Sequence, residues 1–351
     1  MSNFKFSKEI KIGNKIIGDN YPVFIIAEAG VNHNGDMSKA KKLIDVATAS
    51  GVDAVKFQAF KTENLILENV EKAPYQKIQT GVSESQFEML KKLEVTKEQN
   101  LELINYAKQK GIIFLSTPFD EESLEELEEL NVEAFKISST DITNLPLIKR
   151  AARKNRPLIL STGMSYMEEV KMAVNEIAPL NKNLIILQCT ANYPVRANEV
   201  NLSIINTYKN EFDAIIGYSD HSVGIGAAPY SIPLGAKVVE KHFTLDKSDI
   251  GPDHEASLDP NELINFVKTI REVENYIGSS KKMPTEDEKH TRNSLQKCLV
   301  ATKLINKGEV ILEEMIVAKR TGGVGISPIN YKKLVGEKAK RRFNKDDILE
   351  L

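Results

Sequence analysis

Residues 214–253 read AIIGYSDHSVGIGAAPYSIPLGAKVVEKHFTLDKSDIGPD, and this stretch decides the fold. Two short apolar runs, Ala214–Gly217 and Ala236–Val239, have the length and composition of buried strands. Each passes into a burst of polar residues, Ser219-Asp220-His221 and Glu240-Lys241-His242. The segment between them is rich in small and apolar residues, so the two runs lie one βα unit apart. Two of the chain's five histidines stand just past these strands. Catalytic groups gather at the strand ends on one rim of a parallel barrel, and neutral imidazole is a common metal ligand.

Upstream the same unit repeats. Strands are expected at Val23–Ala27, Ala54–Phe57, Ile112–Ser116, Ala134–Ile137, Leu158–Ser161 and Leu184–Gln188, before Ala214–Gly217 and Lys237–Glu240. Helical periodicity separates them, as at Met37–Ser50, Lys97–Lys110, Glu121–Leu130, Glu168–Ala178 and Leu263–Tyr276. Thr96 before KEQ and Asp120 before EES are N-cap residues. Eight strands, each followed by a helix, predict an α/β fold of the (β/α)₈ TIM-barrel class. A doubly wound open sheet seldom needs eight units this regular. Residues 4–21 alternate like a small hairpin turning at Gly13-Asn14. One connection breaks the rhythm: residues 59–95, too long for an idle loop and too apolar for disorder, are expected to form an ordered flap over the strand ends.

The bulk numbers agree with a barrel plus an appendage. The chain has 351 residues, 41% hydrophobic and 27% charged, with a net charge of −2, which argues against a polyelectrolyte binder of nucleic acid. Its two cysteines, Cys189 and Cys298, form no CxxC pair, and Cys189 reads as a small core residue at a strand end. The start, MSNFKFSKEIKIG, lacks an apolar signal core, and no run is long enough to span a membrane, so a cytoplasmic protein is expected. The barrel pattern stops near Gly278, giving a catalytic domain over 1–278. A polar, charged stretch over 279–294 with Pro284 reads as a linker, and 295–351 as a small unit of short strands and turns. From Arg292 onward Lys and Arg outnumber Asp and Glu, which suits either a solvated surface or a lid drawn to an anionic substrate.

The strand ends carry the chemistry. In chain order they supply Glu28, Lys56 with Gln58, Thr117, Lys136 with Ser139, Ser161 and Tyr193, before Ser219-Asp220-His221 and Glu240-Lys241-His242. The strand period of two puts Lys56 with Gln58, and Glu240 with His242, on one face. Lysines in apolar strands are costly unless an anion answers them. Lys56 and Lys136, with the hydroxyls of Thr117, Ser139, Ser161 and Ser219, would make a phosphate pocket; alternatively they pair with Glu28 or Glu240. His221 and His242 offer two nitrogens to a divalent ion, with positions left open for water and substrate oxygens. Imidazole favours Mn²⁺ or another transition ion over Mg²⁺. His33 and Asn34 suit a tight turn, His254 could touch substrate, and His290 falls in the linker.

EAGVNHNG, DAVKFQ, STPFD, STGM, GYSDHSVG, EKHFTLD and GPDHEAS, followed by KGEVI and KRTGGVGISP, run through nearly the whole chain. In that order they resemble the sialic acid synthases, the N-acetylneuraminate synthase group of nonulosonic acid synthases. The small C-terminal unit resembles the antifreeze-like SAF domain of that family. The resemblance implies a transferase that condenses phosphoenolpyruvate with the open-chain aldehyde of an N-acetylmannosamine-type sugar, giving a nine-carbon 2-keto acid and phosphate. It implies Mn²⁺, with Mg²⁺ or Co²⁺ as alternatives, held by His221 and His242. It makes Glu28 the candidate to activate water and Glu240 the acidic group beside the metal. It assigns Lys56, Thr117, Lys136, Ser139, Ser161 and Ser219 to phosphoenolpyruvate, and Gln58, Asp141, Tyr193 and Asp253 to the sugar. It further implies a domain-swapped homodimer in which Arg320 reaches the partner's site and contacts the N-acetyl group.

Three departures bear on the sugar. The family's SGE after strand 4 is Ser139-Thr140-Asp141 here, the polar group after Cys189-Thr190 shifts to Asn192, and KRPG becomes KRTG at Thr321. N-acetylneuraminate synthase is the first expectation, N,N′-diacetyllegionaminate synthase the second and pseudaminate synthase the third. Two readings of other classes are a metal-dependent pyruvate aldolase and a non-enzymatic ice-binding protein, the latter poorly matched by so basic a tail.

Overall fold

An antiparallel hairpin, β1 (Glu9–Ile12) and β2 (Lys15–Gly18), precedes eight parallel strands. These are β3 (Phe24–Gly30), β4 (Ala54–Ala59), β5 (Ile113–Pro118), β6 (Phe135–Ile137), β7 (Leu158–Ser161), β8 (Leu184–Cys189), β9 (Ile215–Asp220) and β10 (Val238–His242). They pair in sequence order, and β10 closes on β3, giving a TIM barrel. The computed structural model describes residues 4–80 and 84–350 and falls into two units, Met1–Gly278 and Ser279–Leu351.

Helices follow the strands: α1 (Met37–Ser50) after β3, α5 (Lys97–Lys110) after β4, α6 (Glu121–Glu129), α7 (Leu145–Arg153), α8 (Met167–Ile177) and α9 (Ile204–Glu211), then short α10 (Ala228–Ser231) and long α11 (Pro260–Ile277). Between β4 and α5 the expected flap holds three short helices, α2 (Thr62–Leu65), α3 (Pro74–Thr80) and α4 (Gln86–Lys91). The two expected N-caps hold. Thr96 and Gln99 form a reciprocal capping box, and Asp120 accepts from Ser123 N at 2.9 Å.

Side chains alternate across the barrel wall. Ile25, Ala27, Val55 and Phe57 face outward into one core with Leu43, Ile44, Leu103 and Leu124 of the helices. Phe24, Ile26, Ala54, Ile113, Leu115 and Ile159 face inward, and Ile10, Ile12 and Ile17 of the hairpin join them. The hairpin therefore stoppers the N-terminal end of the barrel with branched aliphatic side chains.

In the second unit, part of the stretch read as a linker is ordered: α12 (Glu286–Leu295) starts on a capping box of Thr285 and Glu288, with none of its residues buried. β11 (Lys297–Ala301) and β12 (Ile316–Arg320) pair antiparallel over a small core of Leu299, Ile305, Ile311, Met315 and Phe343. Among the described residues, no helix is long and apolar enough to cross a membrane.

Candidate active site

Above the aliphatic plug the same inward positions turn polar. Glu28 follows Ile26, Lys56 follows Ala54, Thr117 follows Leu115, Lys136 follows Ala134, Ser161 follows Ile159, Ser219 follows Gly217 and Glu240 follows Val238, each two residues further along its strand. They surround a cavity of about 450 Å³. Of the fifteen residues singled out from the sequence, thirteen line it, the exceptions being Asp141 and Arg320.

At its floor two lysines and two glutamates interlock. Lys56 Nζ lies 2.7 Å from Glu28 Oε2 and 3.6 Å from Glu240 Oε2. Lys136 Nζ lies 3.7 Å from Glu240 Oε1. Lys56 also donates to Thr117 Oγ1 at 3.0 Å, and Ser219 Oγ donates to Glu240 Oε1 at 2.9 Å. Both readings of the lysines thus hold geometrically: they pair with the glutamates and they face the cavity. All four groups are at most 5% exposed. Burial alone would neutralise them, yet Lys136 and Lys56 overcome it at Glu240 and hold its carboxyl down to about 2. At Glu28 burial wins over Lys56, and neighbouring Glu240 adds to it, pushing the carboxyl up to about 7. Two carboxylates a few ångströms apart are thereby split into a permanent anion and a group that exchanges a proton near neutrality.

This cluster is poorly suited to a purely structural role. Buried ion pairs add little net stability, and one buried hydroxyl at the floor remains unanswered: Ser161 Oγ has no hydrogen-bond partner. Spare cationic and hydroxyl capacity at the floor of a cavity suits a small, multiply charged anion.

One strand period above lie the histidines, their ring centroids 5.5 Å apart. His221 Nδ1 donates to the Thr190 carbonyl at 2.9 Å, which orients the ring and turns Nε2 to the other side. Burial and the neighbouring His221 push His242 well below the usual imidazole range, so it stays neutral. Its Nδ1 is buried with no hydrogen-bond partner, and Asp253 Oδ2 stands 3.9 Å away. At His221 burial is outweighed by Cys189 and the Thr190 carbonyl, which raise the imidazole above its ordinary range; a divalent transition ion would take the lone pair of neutral His242 and displace the proton of His221. No cluster of three or more His, Cys, Asp or Glu arranged for a metal occurs among the described residues, so the pair would leave coordination positions open. Tyr193 stacks on His221 at 4.0 Å and meets His242 edge-on at 5.4 Å. Asp253 is pushed up to about 6 by burial.

A bulge between Glu28 and Gly30 breaks the β3–β4 register at the site. Gly30 has φ +53, and a Cβ there would come 3.3 Å from Gln58 Nε2 and 3.4 Å from Glu28 Oε1. Glycine is the residue that lets the chain turn this close to both groups.

Several placements differ from the sequence reading. Asp141 lies off the cavity, bonded by Asn144 Nδ2 at 3.1 Å, while Ser138, Ser139 and Thr140 face in. The physical reason is that β6 ends at Ile137 and a 3-10 turn follows, which ends the alternation. Cys189 is no plain core residue: it lines the cavity with Sγ 3.8 Å from His221 Nδ1. His254 does not reach the cavity; it meets Thr244 Oγ1 at 2.7 Å and Asn34 Oδ1 at 3.1 Å, tying the GPDH loop to the turn after β3. Arg320 belongs to the second unit, exposed at the end of β12 opposite Lys297. The sequence reading missed the flap's apolar lining, Phe60, Leu65, Ile66, Met89 and Leu90. Its only signal was the apolar content of the long connection.

With this geometry in hand, a family model described as NeuB family matches residues 43–282, and one described as SAF domain matches 296–350. The chain belongs to the NeuB family. It is 45% identical to the N,N′-diacetyllegionaminic acid synthase of Campylobacter jejuni, over 93% of this chain and 98% of that protein. It is 44% identical to the enzyme of the same name from Legionella pneumophila, over 93% of each. A solved structure of N-acetylneuraminic acid (sialic acid) synthetase from Leptospira borgpetersenii superimposes with a TM-score of 0.74 at 37% identity, covering 83% of this chain and 98% of that one.

Proposed function

We propose that this NeuB-family chain is an N,N′-diacetyllegionaminate synthase, condensing phosphoenolpyruvate with a 2,4-diacetamido-2,4,6-trideoxyhexose and water. The observation that carries the choice of sugar is the 45% and 44% identity to two diacetyllegionaminic acid synthases over nearly the full length. The first expectation from sequence, N-acetylneuraminate synthase, gives way to the second on that ground.

The chemistry follows the two tiers of the cavity. Lys56 and Lys136, with Thr117, Ser139, Ser161 and Ser219, hold the phosphate and carboxylate of phosphoenolpyruvate at the floor. His221 and His242 would hold a divalent ion, preferably Mn²⁺, which when bound supplies positive charge to the sugar's aldehyde oxygen. C3 of phosphoenolpyruvate bonds to the aldehyde carbon, whose oxygen takes a proton from solvent and becomes a hydroxyl. Cationic character appears at C2, and the carboxylates of Glu28 and Glu240 stabilise it. Glu28 takes a proton from the water that bonds to C2. The bond from C2 to the phosphate oxygen then breaks as the new C2 hydroxyl gives its proton to the departing phosphate, leaving the ketone, and phosphate leaves on the lysines. Gln58, Tyr193 and Asp253 orient the sugar, and Arg320 contacts its N-acetyl group from the partner subunit of a homodimer.

Phosphate release tests the reading with Mn²⁺, phosphoenolpyruvate and each of three hexoses: the diacetamido sugar, N-acetylmannosamine and the pseudaminate precursor. The diacetamido sugar should give the highest kcat/KM. An equal or higher value with N-acetylmannosamine would overturn the sugar, and no phosphate with any of them would overturn the reaction.

A further inference from the structure

The site uses one face of β9 and β10. The opposite face carries a second buried ionic cluster that the chemistry above does not touch. On β9 the inward residues are Ser219 and then His221; on β10 they are Glu240 and then His242. Asp220 and Lys241 are each one residue out of step and point outward, under the helical layer. They are the final rung of the β9–β10 ladder: Val239 pairs with Tyr218, Glu240 with Ser219 and Lys241 with Asp220, and pairing stops there. His221 falls just beyond the end of β9. Across this seam no backbone ladder sets the separation of the two imidazoles.

The last rung is clamped instead by side chains. Lys241 Nζ lies 3.2 Å from Asp220 Oδ2, and both side chains are at most 1% exposed. Asp220 Oδ1 accepts from Ser222 N at 2.8 Å, Ser222 Oγ at 2.6 Å and Tyr218 OH at 3.2 Å. Oδ2 accepts from Ala227 N at 3.1 Å and Ala228 N at 3.0 Å. Lys241 Nζ also donates to the Ser222 carbonyl, directly after His221. The loop leaving His221 is therefore folded back onto the carboxylate that precedes it and onto the ammonium that precedes His242. Gly226 completes the wrap at φ +65, where a Cβ would come 2.1 Å from Ser222 Oγ and 2.7 Å from Asp220 Oδ2.

We propose that Asp220 and Lys241 are positioning residues for the metal centre, a buried cross-strand pair that fixes His221 and His242 relative to each other from outside the barrel wall. The proposal rests on the reading of the two histidines as metal ligands. Residues that hold ligands in place commonly change metal affinity about 10- to 100-fold when altered. Removing one partner would strand a buried charge, so the pair is neutralised together, as D220N/K241Q. Mn²⁺ binding, followed by electron paramagnetic resonance on the full-length protein, should weaken at least 10-fold in this variant. Phosphoenolpyruvate affinity, measured separately by calorimetry, should stay within twofold, because the floor lysines lie on other strands and Ser219 and Glu240 are held by their own rung of the ladder and by the hydrogen bond between them. Unchanged Mn²⁺ affinity, or an equal loss for phosphoenolpyruvate, would overturn the proposal. Should the double variant fail to fold, Ser222→Ala decides: it removes the Oγ hydrogen bonds to Asp220 and from Ala227 N and leaves the ion pair, and should weaken Mn²⁺ binding several-fold with phosphoenolpyruvate affinity unchanged. Wild-type Mn²⁺ affinity there would equally overturn the proposal. A wild-type protein that binds no Mn²⁺, with or without phosphoenolpyruvate, would instead remove the metal reading itself, and the pair's role with it.

Discussion

The lower and upper halves of the barrel shaft are made by the same strands on the same face, two residues apart. Below, Ile26, Ala54, Leu115 and Ile159 meet the hairpin's Ile10, Ile12 and Ile17 in an aliphatic plug. Above, Glu28, Lys56, Thr117 and Ser161 ring the cavity. The backbone cannot tell the halves apart; the side chains divide them into a part that holds the fold together and a part that strains against burial. Apolar burial stabilises by about 25 cal/mol per Å², whereas the charges above must be answered by one another to remain in place. Stability should therefore respond to the lower half and activity to the upper.

The sharpest test of that division is His221→Ala or His242→Ala, each expected to bring phosphate release to background while the thermal midpoint stays near wild type. Full activity in the metal-stripped double variant would remove the assignment. Next is Glu28→Gln, expected to lower kcat by about 10²- to 10⁴-fold, the usual range for a general base. Glu28 acts as the carboxylate, and its raised value near 7 means it becomes protonated as the pH falls through that point. Activity should accordingly drop on the acid side of about pH 7 and level off above it; in Glu28→Gln that limb should vanish from the pH–rate profile. A limb that survives belongs to another group.

Ile12→Ala probes the other half. Deleting a buried aliphatic side chain costs about 2–5 kcal/mol, seen as a lower midpoint in denaturant, with kcat per folded molecule unchanged. A matching loss of kcat would erase the distinction between the halves. The smallest effect is expected from Arg320→Ala in the second unit: a several-fold rise in the sugar's KM with that of phosphoenolpyruvate unaltered. Equal rises would detach Arg320 from the sugar.

Hydrophobic periodicity made the barrel readable, and it also explains where the reading stopped. The expected strands Ala214–Gly217 and Lys237–Glu240 run on to Asp220 and His242 in the structure. Ladder pairing continues through polar residues, but a pattern built on apolar alternation ends at the first of them. Most of the site was legible for the converse reason: Lys56 or Glu240 inside an apolar run has few explanations other than a cavity. Asp141 was assigned to the sugar from its place in the family's motif, and a motif does not show that the 3-10 turn after Ile137 carries this side chain off the cavity. The apolar flap residues were illegible as lining, since Met89 or Leu90 in sequence looks the same whether it faces a core or a ligand. The pairing of Asp220 with Lys241 needed the register between two strands, which the sequence of either one does not contain.

The hairpin stopper has a kinetic consequence. With the lower end sealed by Ile10, Ile12 and Ile17, the barrel is a blind shaft in which Ser219 and Glu240, the latter paired with both lysines, come one strand period before the histidines. A small anion bound at the bottom is trapped by whatever occupies the tier above it. Under the proposed reaction, loading is sequential by geometry, first in and last out: the second reactant seals the first in place, and the product's nine-carbon chain must clear the mouth before the phosphate beneath it can escape.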